Sequence, residues 1–165
     1  MTTQNVSHLF DDDDERLTVG LVGSSGGHLA HLLLLKPWWE NHDRFWVTFD
    51  MPDAHDLLHS ERVDWAHYPT TRNIPNLTKN FGLAWRVLRR ERPDVIISTG
   101  AAVAFPFFLL GRMLGAKTVF IEVYDRIDNA SLTARLCAPL SSRFLVQWED
   151  QLVFDPKAEL IGRLM

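Results

Sequence analysis

Cysteine is nearly absent from this sequence, and so is any apolar run long enough to cross a bilayer. The single cysteine, Cys137, excludes an intramolecular disulfide and fits a reducing compartment. It falls in an apolar helical stretch and reads as core. The most apolar segment, Ala101 to Leu114, is shorter than the roughly 20 residues a spanning helix requires, and it contains Pro106 and Arg112. Residues 1–15 are polar and acidic, without the apolar centre of a signal peptide. A cytoplasmic chain that does not cross the membrane is expected. Internal repeats and low-complexity linkers are lacking too, and 165 residues suit one domain with a real core. A strong charge bias is also missing. The formal net charge is −4, but the acidic run Asp11 to Glu15 accounts for more than all of it. That run predicts a disordered, solvated tail over 1–15, followed by one domain over 16–165.

What is present is an alternation. Strand candidates are Leu17–Val22, Arg44–Phe49, Asp64–Tyr68, Val95–Ser98, Thr118–Ile121 and Phe144–Gln147. Helix patterns fall between them at His28–Glu40, Ala54–Ser60, Leu77–Arg92, Ala102–Leu114 and Ser131–Leu140. Strands alternating with helices predict an α/β domain, a Rossmann-like doubly wound parallel sheet covered on both faces. In such sheets, ligands bind beyond the carboxyl ends of the strands. That edge should hold Gly23–His28, Asp50, Thr70–Asn73, Thr99–Ala102, Glu122–Asn129 and Trp148–Asp150.

The first of these loops, Gly23-Ser24-Ser25-Gly26-Gly27, opens the first helix. Successive backbone N–H groups at a helix N-terminus suit a phosphate or diphosphate; a tight turn without a ligand is the plainer alternative. No Lys-Ser/Thr pair follows, which excludes a P-loop. The glycines do not spell G-x-G-x-x-G, and His28 crowds the place of the third, so a nicotinamide-binding oxidoreductase domain is a weak alternative. His28 is a candidate general base or hydrogen-bond donor, or else a residue that merely caps the first turn. "HDLLH", His55 to His59, has the spacing of a zinc-protease motif, but Asp replaces Glu and no third ligand is near; it reads as a surface helix. "STGAAVAFP", Ser98 to Pro106, repeats the strand, small-residue loop, helix theme with Thr99 and Gly100. Glu122 ends an apolar strand, with Arg126 four residues on. The acid can serve as a base or bind sugar hydroxyls, or the pair can simply order the loop.

Four stretches, "VGSSGGHLAHLL", "PDVIISTGAAVAFPF", "KTVFIEVYDRIDNASLTARL" and "SSRFLVQWED", stand in an order and spacing that carry a resemblance. From Leu17 to the C-terminus the chain resembles the acceptor-side, membrane-recruiting subunit family of the bipartite N-acetylglucosaminyltransferase of N-glycan assembly. The same family supplies bacterial exopolysaccharide and capsule glycosyltransferase subunits. A more distant likeness is the N-terminal half of the peptidoglycan N-acetylglucosaminyltransferase. By position, Gly26, Gly27 and His28 match the family's Gly-Gly-His, Gly100 the glycine of the second loop, and Glu122 the acid after the fifth strand. Arg126, Ser131 and Leu132 match the segment that follows. Val123 departs from the Ser common after that Glu, and the N-terminal membrane helix of the eukaryotic subunit is absent, which points to the bacterial type.

The resemblance implies the N-terminal half of a GT-B glycosyltransferase. A small partner subunit would carry the nucleotide-sugar site, and this chain would bind a polyprenyl-diphosphate-linked acceptor. No cofactor, metal or nucleic-acid partner is implied. His28 and Glu122 are then the expected catalytic residues. Ser24, Ser25, Gly26, Gly27, Thr99, Gly100, Arg126 and Ser131 are expected to bind diphosphate and acceptor. Leu160 and Ile161, in the apolar C-terminal "AELIGRLM", are expected to dock the partner. Trp38 and Trp39 beside Lys36, with Phe105, Phe107 and Phe108 near the second loop, are expected to meet the inner face of the plasma membrane as a peripheral contact. A non-catalytic scaffold that recruits and activates a self-sufficient partner is the competing reading.

Overall fold

A computed structural model describes residues 16–70, 72–125 and 129–164. The expected tail over 1–15 lies outside them, and so does Arg126. Among the described residues, β1 (Thr18–Val22), β2 (Asp43–Phe49), β3 (Val63–Ala66), β4 (Val95–Ser98), β5 (Lys117–Ile121), β6 (Arg143–Val146) and β7 (Ala158–Leu160) form one parallel sheet. Its order is β3-β2-β1-β4-β5-β6-β7. Six of these strands match the expected ones to within two residues. The seventh, β7, is an addition: three residues at the sheet edge, where Arg143 of β6 forms an ion pair with Glu159.

Both sheet faces are apolar, as a parallel sheet requires. Phe45, Val47, Ile96, Phe120 and Phe144 point to one side. They pack under α4 (Ile74–Glu91), α5 (Ala104–Met113) and α6 (Leu132–Cys137). Val19, Leu21, Trp46, Ile97 and Leu145 point to the other, under α1 (Gly27–Leu34), α2 (Lys36–Trp39) and α3 (Pro52–Leu57). Helix α4 starts where Asn73 accepts the Asn76 N–H at 2.9 Å and ends at Arg92, left-handed at φ 47°, just before Pro93. No helix among the described residues is long and apolar enough to cross a membrane.

The single helix expected over His28–Glu40 is two. Pro37 has no N–H to donate and its ring would clash with the carbonyl four residues back, so α1 stops at Leu34 and α2 restarts after Leu35. The break turns the two indoles inward, which overturns Trp38 and Trp39 as membrane contacts. They are 6% and 4% exposed, and the Trp39 indole donates to the Leu32 carbonyl at 2.9 Å and stands edge-on to Trp46. Phe107 and Phe108 are fully buried under the sheet as well.

The strand order fixes where a ligand site belongs. The chain runs outward from β1 to β3 and then returns to place β4 on the other side of β1. At such a switch point the loops leaving β1 and β4 diverge and leave a crevice between them.

Candidate active site

The β1 loop enters helix α1 through Gly26, whose φ of 69° favours a residue without a side chain. Its backbone N–H already meets an anion: it donates to the Asp53 carboxylate, at the start of α3, at 2.8 Å. Ser24 and Ser25 stand half-buried in the same loop, and Gly27 is its exposed last residue. First-turn amides of a helix have no intrahelical acceptor, so this corner is chemically suited to a phosphate oxygen.

His28 faces across the crevice and is held there twice. Its Nδ1 lies 2.8 Å from the Thr99 carbonyl, and the Thr99 hydroxyl donates to the His28 carbonyl at 2.9 Å. A carbonyl accepts only, so Nδ1 bears the proton and the lone pair of the neutral ring is on Nε2. The β4 loop is shaped around this imidazole. The buried Ser98 hydroxyl accepts the Gly100 N–H at 3.0 Å, and Gly100 has φ 129°. A β-carbon on Gly100 would stand 2.7 Å from Cε1 of His28. Ala101 follows in the left-handed region at φ 67°, a strained conformation for a residue with a side chain.

Glu122 is at the end of β5, where the sequence places it, and it is turned onto the backbone instead of out to solvent. Its side chain is fully buried, with Oε1 accepting the Val123 N–H and Oε2 accepting the Ser131 N–H, each at 3.2 Å. Ser131 in turn caps α6, its hydroxyl accepting the Ala134 N–H at 3.0 Å. The buried carboxylate thereby ties the end of β5 to the start of α6, an arrangement that suits a positioning role.

The model of the family described as "Oligosaccharide biosynthesis protein Alg14 like" matches residues 67–164. The chain belongs to this Alg14-like family. The human "UDP-N-acetylglucosamine transferase subunit ALG14" is 24% identical over 183 residues, covering 92% of this chain and 84% of that one. The "UDP-N-acetylglucosamine–N-acetylmuramyl-(pentapeptide) pyrophosphoryl-undecaprenol N-acetylglucosamine transferase" of Tolumonas auensis is 27% identical over 165 residues, covering 89% of this chain and 44% of that enzyme. Among solved structures, Acinetobacter baumannii MurG superimposes with a TM-score of 0.66 at 17% identity, over 81% of this chain and 42% of MurG. At that identity the likeness is one of fold: this chain has the Rossmann-like fold of one half of a GT-B glycosyltransferase. It spans between 36% and 45% of the length of the first curated relatives it matches.

Seen as an Alg14-like chain, the molecule adds residues that the sequence alone did not single out. Asp53 shows only as an acid early in a helix, which is common. Gln147 and Gln151 are buried and tie the β5–α6 loop to β6. Gln147 Nε2 donates to the Glu122 carbonyl and Gln151 Nε2 to the Val123 carbonyl, both at 3.0 Å, while Gln151 Oε1 accepts the Gln147 N–H at 2.8 Å. The Trp148 indole donates to the Tyr124 carbonyl at 2.8 Å. "QWEDQ" carries that signal only once its strand is known to lie beside β5.

Other expected features are elsewhere. Leu160 is exposed, but Ile161 is in the core, its N–H donating to the Val146 carbonyl at 2.9 Å, so the expected docking pair is split between surface and interior. In the "HDLLH" stretch, His55 pairs with Asp50 at 2.6 Å and His59 with the Asp56 carbonyl at 3.1 Å; no group of three or more His, Cys, Asp or Glu among the described residues is arranged to hold a metal. Burial pushes the Cys137 thiol up to about 12, where it stays protonated and unreactive.

Proposed function

We propose that this chain is the acceptor-side half of a two-chain GT-B glycosyltransferase. It holds a polyprenyl-diphosphate-linked acceptor, and a small partner chain holds the nucleotide sugar. The observation that carries the reading is the His28–Thr99 clasp at the mouth of the glycine loop. It joins a basic imidazole nitrogen and an anion-binding helix start in one crevice. The diphosphate rests on the β1 loop, where it displaces or joins Asp53 at the Gly26 amide. An acceptor hydroxyl then attacks the anomeric carbon of the donor sugar. The bond from that carbon to the nucleotide's phosphate breaks, and the hydroxyl proton passes to Nε2 of His28. Thr99 keeps the imidazole in the tautomer that can take it.

The two-chain division is supported by the word subunit in the name of the human relative, 84% of which this chain covers. The exposed Leu160 on edge strand β7 is the candidate contact for the partner chain. The lipid class is supported by the pyrophosphoryl-undecaprenol in the name of the T. auensis relative. Oligosaccharide-lipid and polysaccharide assembly, including bacterial exopolysaccharide, is the setting that uses such acceptors.

Such an acceptor stays in the bilayer, so the protein works as a peripheral protein on the inner membrane face. With Trp38 and Trp39 buried, the surface suited to that contact is α4. Its outer side exposes Ile74 and Trp85 among Lys79, Arg86 and Arg89, with the Arg89 guanidinium 5.0 Å above the Trp85 ring. The test of the overall reading is sugar transfer from a labelled UDP-sugar to a short-chain isoprenyl-diphosphate sugar. Turnover is expected only when this chain and its partner are mixed. Robust transfer by this chain alone contradicts the reading.

A further inference from the structure

Helix α1 buries three residues, Leu29, His31 and Leu32, and His31 is on the flank of the helix nearer His28 and Leu35 than Leu29. His31 is 2% exposed, and among the described residues neither Nδ1 nor Nε2 has a hydrogen-bond partner. A leucine would fill such a place at no polar cost, so an unsatisfied imidazole in a leucine-rich helix calls for a reason outside the apo fold. Its surroundings give one. His31 lies one turn beyond His28, and Tyr124 of the β5–α6 loop covers it edge-on, ring centres 5.5 Å apart. Asp125 is also within electrostatic reach. The ring therefore lies between helix α1 and the segment that follows β5, one turn from the His28 that faces the crevice.

Burial, with the neighbouring His28, pushes the His31 pKa down, and Asp125 only partly opposes this. A neutral imidazole has one N–H to give and one lone pair to receive. Phosphate oxygens at neutral pH accept only, and could satisfy half of that ring. A sugar hydroxyl or an amide substituent does both. The covering Tyr124 is 39% exposed, and its carbonyl accepts from the Trp148 indole.

We propose that His31 is a sugar-recognition residue, exchanging a donor–acceptor pair with a hydroxyl or amide group on the acceptor's sugar after that sugar displaces the Tyr124 ring. The proposal rests on the acceptor-side reading above and adds which part of the acceptor this corner reads.

The test compares the full chain with His31→Leu, using two soluble probes: a short-chain isoprenyl diphosphate and the same lipid carrying N-acetylglucosamine. Without ligand, His31→Leu is expected to melt at a higher temperature than the native chain. It is expected to bind the bare diphosphate within about twofold of the native affinity and the sugar-bearing probe at least tenfold more weakly. His31→Gln, which keeps a donor and an acceptor, is expected to recover part of that loss. Native affinity for the sugar-bearing probe in His31→Leu overturns the proposal, as does a lower melting temperature or an equal loss for both probes. A native chain that binds neither probe overturns the acceptor-side reading and this proposal together; the other outcomes bear on His31 alone.

Discussion

A β-carbon placed on Gly100 would lie 2.7 Å from Cε1 of His28, closer than any relaxed contact. The second loop is thus moulded to the imidazole of the first, and a shift of the imidazole breaks its Nδ1 contact with the Thr99 carbonyl. Gly100→Ala is expected to displace His28 and to be strained at φ 129° besides. In the assembled complex, kcat should fall at least tenfold while binding of a bare isoprenyl diphosphate changes little. Unchanged kcat would show that the ring's position is immaterial to turnover.

Glu122→Ala leaves the buried Val123 amide and the part-buried Ser131 amide without their carboxylate acceptor. The expected loss of stability is about 2–6 kcal/mol, twice the typical cost of about 1–3 kcal/mol for one unsatisfied buried group. Urea denaturation measures it. The pH–rate profile should keep its shape, because the proposed base is His28 and not Glu122. A variant of native stability whose acid limb disappears would return Glu122 to a catalytic role.

His31 and His42 both titrate below their ordinary range, each chiefly because burial penalises the charged ring. His28 adds to the effect at His31, with Asp125 opposing, and Arg16 adds to it at His42. Unfolded, each ring binds a proton near its usual pKa of about 6.5. Below that pH the unfolded chain therefore takes up more protons than the folded one, and folding weakens as pH falls. Stability should decline from about pH 7.5 toward about pH 5.5, and His31→Leu should flatten part of that decline. Equal slopes in the two proteins would contradict the buried neutral state of His31.

Trp85 and Trp38 should behave in opposite ways. Trp85→Ala, combined with Arg86→Glu and Arg89→Glu, is expected to leave folding nearly intact and to reduce flotation with anionic liposomes several-fold. Trp38→Ala should instead destabilise the chain by about 3–5 kcal/mol, as truncation of a buried tryptophan does. Full flotation of the α4 triple variant would remove α4 as the membrane face.

Much of this architecture is legible from local pattern. "VIIST" after Arg92-Pro93 gives β4 to the residue, because the proline ends the helix and the β-branched run follows at once. The glycine loop is legible because Gly and Ser at a helix start have few other uses. What escapes depends on tertiary neighbours. Trp38 and Trp39 look interfacial beside Lys36, yet the break at Pro37 turns them under the sheet, and no periodicity records that turn. Strand β7 is too short to announce itself and exists because β6 offers it an edge. Glu122 can be placed at the strand end from sequence, but its acceptance of two backbone amides, and the hold of Gln147 and Gln151 on the same loop, need the fold. His31 sits at a core spacing, so its nitrogens become meaningful only when no hydrogen-bond partner for them is found among the described residues.

The central claim is that His28 takes the proton from the acceptor hydroxyl. Single-turnover sugar transfer by the assembled complex, native against His28→Ala, tests it most directly when acceptor binding is measured in parallel. A drop of about two orders of magnitude in the chemical step is expected, within the usual range for a general base, with acceptor affinity preserved. A His28→Ala complex that turns over at near-native rate would contradict the account and leave the imidazole as no more than a clasp between the two loops.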